Sequence, residues 1–208
     1  MLDAGCWIYD DRSDVLQSLP WRFEMSILLE RHRAALLVID VQDRINAVMA
    51  DQSHLPRIEV LVEACRRLDV PVLASEQYPQ GLGPTVESLA TILGETPPGK
   101  LTFSCARDDG LKRAIEDSGR KQIIVTGIET HVCVLQTALD LTNLGYEVHV
   151  PHDAVNSRRP ADKEWALHRM AAAGATITAT ESALFELLER CDTAAFKTVA
   201  KLIKKIPV

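Results

Sequence analysis

From residue 34 onward the chain alternates short continuous apolar runs with segments whose apolar positions recur every three to four residues. That alternation predicts βαβ units and a parallel sheet covered on both faces, because strands buried on both sides lose the in-out pattern and read as solid runs. The runs predict six strands: AALLVID (34–40), PVLAS (71–75), KLTFSC (100–105), QIIVTG (122–127), YEVHVP (146–151) and ATITAT (175–180). Helices are expected over 57–68, 108–118, from Cys133 to about 144, and over 161–173. Ile58, Leu61, Val62, Cys65 and Leu68 share one face of the first of these, which makes Cys65 a core residue. Gly145 is a C-terminal stop for the helix after Cys133. The tail from Ser182 reads as one or two helices, the last of them (AAFKTVAKLIKKI) amphipathic with a basic, solvated side. The expected fold class is therefore an α/β three-layer sandwich with a six-stranded parallel sheet.

The first 24 residues carry little periodicity. Residues 1–33 read as an N-terminal arm, either an extended start or a segment anchored by Trp7, Ile8 and Trp21, ahead of one domain over 34–208. The formal charge of -6 lacks the basic excess that nucleic acid or an anionic membrane surface demands, so a small-molecule substrate is the expected partner. No apolar run reaches the roughly 18 residues of a membrane span, and the acidic N-terminus is unlike a secretory leader. Five scattered cysteines without a C-x-x-C pair fit neither a disulfide scaffold nor a zinc cage and point to a reducing, cytoplasmic setting.

Three reactive side chains fall at predicted carboxyl ends of strands, the edge where open parallel sheets bind ligands. Asp40 closes the first run, Lys100 opens the third after a Pro-Pro-Gly turn, and Cys133 follows the fourth, beyond Gly127. Singly, Asp40 could cap a turn, Lys100 could be solvated and Cys133 could be core. Together they supply a base, a cation and a thiol, the set a sulfur nucleophile needs near neutral pH. A helix N-terminus at Cys133 would favour its thiolate, and backbone amides from Glu129 to Cys133 could form an oxyanion hole. Gln77, Tyr78, Phe103 and Thr130 are candidates for the pocket wall, with Thr130 also placed to bond locally and fix the turn. His131 is two residues from Cys133, a spacing that turns the two side chains apart. Cys105 reads as structural, and Asp153 and Arg158 as residues that hold a loop.

VIDVQ around Asp40, the lysine of GKLTFSC, and GIETHVCVLQTALDLTNLGYEVHVPHDAVNSR together resemble the isochorismatase-like cysteine hydrolases, the superfamily of nicotinamidases and N-carbamoylsarcosine amidase. The likeness spans residues 34–182 and rests on G-x-x-T-x-x-C-V with D-A-V-x-S-R downstream. It implies an Asp40-Lys100-Cys133 triad, oxyanion donors at Glu129 and Cys133, a cis peptide before Glu129, and a homo-oligomer. SEQYPQGLGPT stands where nicotinamidases carry D-x-H, so the resemblance implies no metal, no other cofactor, and a metal-free branch. True isochorismatases lack the cysteine, so Cys133 argues against that reaction. The implied activity is hydrolysis of a small amide or related acyl compound through a Cys133 thioester. A binding or scaffolding member that keeps the pocket is the alternative. A nucleotide-binding oxidoreductase is disfavoured, since VQDRINAVMA replaces the glycine-rich phosphate turn.

Overall fold

The computed structural model describes residues 28–206, so the expected anchors Trp7, Ile8 and Trp21 lie outside the described residues. Seven strands form one sheet: β1 (Ala34–Ile39), β2 (Val72–Gln77), β3 (Gly99–Lys100), β4 (Gln122–Ile128), β5 (Glu147–Pro151), β6 (Val155–Asn156) and β7 (Thr176–Thr178). Six lie in the order β3-β2-β1-β4-β5-β7, every pairing parallel, while β6 extends the β4 edge beyond β5. The helices are α1 (Asp43–Asn46), α2 (His54–Arg67), α3 (Pro79–Leu82), α4 (Glu87–Leu93), α5 (Asp109–Asp117), α6 (Leu135–Asn143), α7 (Pro160–Ala172), α8 (Thr180–Leu188) and α9 (Ala194–Ile203).

Every residue of β1 is buried, and alternate side chains feed two different cores. Leu36 and Val38 join Ile58, Leu61 and Leu184 on the face covered by α2, α4, α8 and α9. Leu37 and Ile39 join Ile115, Ala138 and Met170 on the face covered by α5, α6 and α7. This is the three-layer sandwich the solid apolar runs require. The predicted α2 face is buried in full, Cys65 included; each of its large aliphatic side chains contributes about 1.5–3 kcal/mol. Of the arm, Leu29 packs into the first core and its amide donates to Glu186 Oε2.

Several elements depart from the sequence reading. The third strand is not 100–105: it ends at Lys100, because the Lys100 ammonium bonds the carbonyls of Thr102 and Phe103 and draws the chain back around its own side chain. A 3-10 turn, Cys105–Arg107, follows. β2 runs on through Gln77, two residues past the expected end, and the stretch beyond it, rich in Gly and Pro, contains α3. The sixth run stops at Thr178 because Thr180 opens α8, where Asp153 Oδ1 accepts from the Thr180 amide and hydroxyl. β6, α1 and α4 were not anticipated. Gly145 does end α6: its φ of 84° lets the Tyr146 amide return to Leu141 O.

Candidate active site

The segments that leave β1, β3 and β4 bring Asp40, Lys100 and Cys133 together at the carboxyl edge of the sheet. Asp40 adopts a left-handed φ of 56° just past β1, and its amide donates to Ser75 O. One carboxylate oxygen, Oδ1, accepts from the Ser75 hydroxyl at 2.8 Å; the other, Oδ2, lies 2.7 Å from Lys100 Nζ. Both side chains of the ion pair are sealed from solvent, at 1% and 0% exposure. Lys100 Nζ also reaches Gln77 Oε1 at 2.6 Å and the carbonyls of Thr102 and Phe103 at 3.2 and 3.1 Å. Burial works most strongly against the ammonium, but the Asp40 carboxylate with the nearby Cys133 and Cys105 together outweigh it, so the Lys100 pKa lies above the ordinary lysine value.

Gly127 lies in β4, as the fourth apolar run predicts, paired with Ile39. A Cβ there would stand 2.0 Å from Ile39 O, and φ is 114°. Only glycine lets the two strands meet this closely where Asp40 and the cysteine turn diverge. The Ile128–Glu129 peptide is cis, and Thr130–Val134 forms a π-helical turn that leads into α6.

Cys133 therefore sits in a wide turn and is 6% exposed. Its thiol pKa is raised, first by burial, then by the adjacent Asp40 charge and a hydrogen bond to it, with Lys100 opposing. The direction runs against a thiolate favoured by a helix N-terminus: burial and the facing Asp40 carboxylate both favour the protonated thiol. Cys105, fully buried, has its Sγ 3.5 Å from Ser75 Oγ, and burial pushes its thiol up to about 11.

The expected pocket residues separate. Gln77 belongs to the ammonium's shell, and its Nε2 donates to Leu101 O. Tyr78 and Phe103 are half-exposed on the rim, beside the exposed Leu101. Thr130 is fully buried and its hydroxyl has no partner among the described residues, against the expectation of a local bond. As the first residue of its turn it follows a strand, which offers no carbonyl one helical turn back. Glu129, considered only for its amide, has a buried carboxylate that accepts from the Arg158 amide and Nε at 3.2 and 2.9 Å. His131 Nδ1 is 3.0 Å from Ser157 Oγ, which gives the ring a partner other than Cys133. Asp153 joins Arg57 to the start of α8, and Arg158 grips Glu129, as loop-holding residues should.

Sequence reasoning missed three supports. Ser75 orients the carboxylate. Gln42 is buried; its Oε1 accepts from the Gln77 amide and its Nε2 donates to the carbonyls of Gln77 and Gly83. Asn156, on β6, bonds Asp51 O and His54 Nδ1 through Nδ2. Because Nδ1 accepts there, His54 is neutral and Nε2 donates to Asn46 Oδ1; burial lowers its pKa to about 4. Gln42 stood inside VIDVQ, and that was the only signal for any of the three. Among the described residues, no three His, Cys, Asp or Glu side chains cluster to hold a metal ion, and no helix is long and apolar enough to cross a membrane.

The parallel sheet in this order, shared with solved relatives, defines the isochorismatase-like class of α/β domain. The Isochorismatase domain family matches residues 34–182, and the chain belongs to that family. Isochorismatase family protein 1B of Dictyostelium discoideum is 35% identical over 178 residues, covering 83% of this chain and 86% of the relative. A secreted isochorismatase effector, Isc1 of Phytophthora sojae, is 37% identical over 183 residues, covering 84% and 86%. Among solved structures, a MAR1 ribonuclease of Caenorhabditis elegans superposes with a TM-score of 0.79 at 36% identity, covering 85% of this chain and 92% of its own. YcaC of Pseudomonas aeruginosa, solved with covalent acrylamide, gives 0.77 at 25% identity, covering 86% and 96%. The YcaC product of Escherichia coli, an octameric hydrolase of unknown specificity, shares the fold at 0.79 and 23% identity, covering 85% and 91%. Family membership supports a hydrolase function.

Proposed function

We propose that the protein hydrolyses a small amide or related acyl compound through a thioester on Cys133. The observation that carries this is the Asp40 carboxylate, which is paired with Lys100 at 2.7 Å and at the same time adjoins the Cys133 thiol in a buried cluster. Asp40 takes the thiol proton as sulfur attacks the acyl carbon, and the amides of Glu129 and Cys133 receive the oxyanion. The tetrahedral intermediate expels the amine, which leaves with the proton held on Asp40. Water then loses a proton to the same carboxylate, attacks the thioester, and frees the acid and the thiol. Lys100 pairs with Asp40 between steps, Ser75 fixes its orientation, and Gln77, Tyr78 and Phe103 face the entering substrate. The covalent acrylamide in the Pseudomonas relative is consistent with an amide-sized compound bonding to protein in this fold. The formal charge of -6 opposes a polyanionic RNA substrate, whatever the worm neighbour cleaves. The octameric Escherichia relative and the free buried thiols favour a homo-oligomer working in a reducing cytoplasm.

A screen of small amides, carbamoyl compounds and esters tests the reading, with Cys133→Ala as control. The variant should unfold at the wild-type urea concentration and turn over nothing; retained turnover would refute the nucleophile. Asp40→Asn gives an independent test through iodoacetamide labelling of Cys133, with exposed Cys191 as internal reference. Removing the carboxylate lowers the thiol pKa and would speed simple alkylation, whereas loss of a general base slows it. The proposal requires slowing.

A further inference from the structure

Behind the cysteine turn lies a cleft of about 200 Å³ lined by His131, Arg158, Arg159 and Asp162. Four charged or titratable groups converge on it, and Asp162 forms only long ion pairs with its neighbours. Asp162 Oδ2 stands 3.9 Å from Arg159 Nη1 and 4.0 Å from His131 Nε2, both beyond hydrogen-bond reach. Arg158 reaches Glu129 through Nε, and no described residue hydrogen-bonds its two terminal nitrogens. His131 is likewise engaged at Nδ1 by Ser157, which leaves Nε2 toward the gap. Counting the Glu129 carboxylate held by Arg158, two guanidiniums face two carboxylates; what stays open toward the gap is the terminal nitrogens of Arg158 and the exposed fork of Arg159. Arg159 is also the N-cap of the thirteen-residue α7, whose positive dipole end favours an anion there.

We propose that this cleft binds a small oxyanion, phosphate or a short carboxylate, as a site additional to the acyl chemistry at Cys133. Planar guanidinium forks match both ligands. The volume, several times a water molecule's share of about 30 Å³, accommodates either. A bound anion touches the cysteine turn at two points, directly at His131 and through Arg158 at Glu129, so the site is placed to act as an effector site.

The test uses the full-length protein and the imidazole NMR resonances of its six histidines, with that of His131 assigned by its loss in His131→Gln. Phosphate and malonate are titrated separately at constant ionic strength, with chloride as reference. A saturable shift centred on His131 is expected. Arg159→Ala, at a side chain 84% exposed and so free to be removed without unfolding, should weaken it by about tenfold, the value of one charge-assisted hydrogen bond. Asp162→Asn, which removes the acid that competes with the ligand, should tighten it severalfold. Saturation by phosphate alone or by malonate alone assigns the ligand class within the proposal. Shifts that chloride reproduces, that do not saturate, or that neither variant alters would overturn it. The readout is binding, so this result is independent of whether Cys133 proves to be a nucleophile.

Discussion

Replacing Lys100 by methionine isolates the ion pair, because it removes the charge and roughly keeps the volume. With charge centres roughly 4 Å apart and an effective dielectric of about 20, the Asp40–Lys100 attraction is about 4 kcal/mol, comparable to the cost of withdrawing two ions from water. The intact pair therefore adds little net stability. Lys100→Met leaves the Asp40 carboxylate 1% exposed with the Ser75 hydroxyl as its hydrogen-bond donor from β2, and strips a donor from Gln77 Oε1 and two carbonyls. Breaking such a buried pair from one side costs about 3–5 kcal/mol. Adding Asp40→Asn removes the orphan charge and should restore much of that loss, so the double variant should be more stable than Lys100→Met alone while turning over nothing. Urea unfolding of the wild type, the two single variants and the double variant at neutral pH, read by tryptophan fluorescence and far-UV circular dichroism, measures the cycle. A Lys100→Met loss under about 1 kcal/mol, or a double variant no more stable than it, would refute a sealed ion pair.

Other expectations follow from groups whose titration burial shifts. His54 is held neutral with its pKa lowered to about 4 from 6.5; its contribution, about 3 kcal/mol, is present above pH 6.5 and is lost as pH falls toward 4. His54→Gln should flatten that acid limb in urea midpoints measured against pH. Cys65 is raised from 9.0 to about 12, so stability is full below pH 9 and declines between pH 9 and 12; Cys65→Ala should reduce the decline. Gly127→Ala sets a methyl 2.0 Å from Ile39 O at a φ of 114°, and a cost of about 2–4 kcal/mol should appear in the unfolding midpoint together with loss of turnover, since β1 must shift next to Asp40.

The elements readable in the sequence are those whose patterns are long enough to carry a period or a solid apolar run. β1 stood out because burial on both sides leaves no polar residue within it; β4 and β5 kept apolar runs despite Gln122, Thr126, Glu147 and His149, and α2 kept a continuous apolar face. β6 and α1, of two and four residues, are too short to show any period, and tertiary pairing alone creates them. The three reactive residues were visible as types at predicted strand ends. Their electrostatics were not, since the thiol's shift depends on a carboxylate 93 positions earlier in the chain and on a turn that is π-helical instead of α-helical. Thr130 went wrong for a related reason: a threonine after a strand has no helical carbonyl behind it, and the letters alone do not mark where the helix begins.

Gln42 sets a boundary on how the specificity of the proposed site can drift. Its carboxamide mimics a strand's edge, stapling the backbone at Gln77 and Gly83 to the root of β1, so the segment bearing Tyr78 is fixed in length and height above the sheet. Natural variants that accept new compounds should therefore exchange the protruding groups at positions 78, 101 and 103 and leave the spacing of that rim untouched.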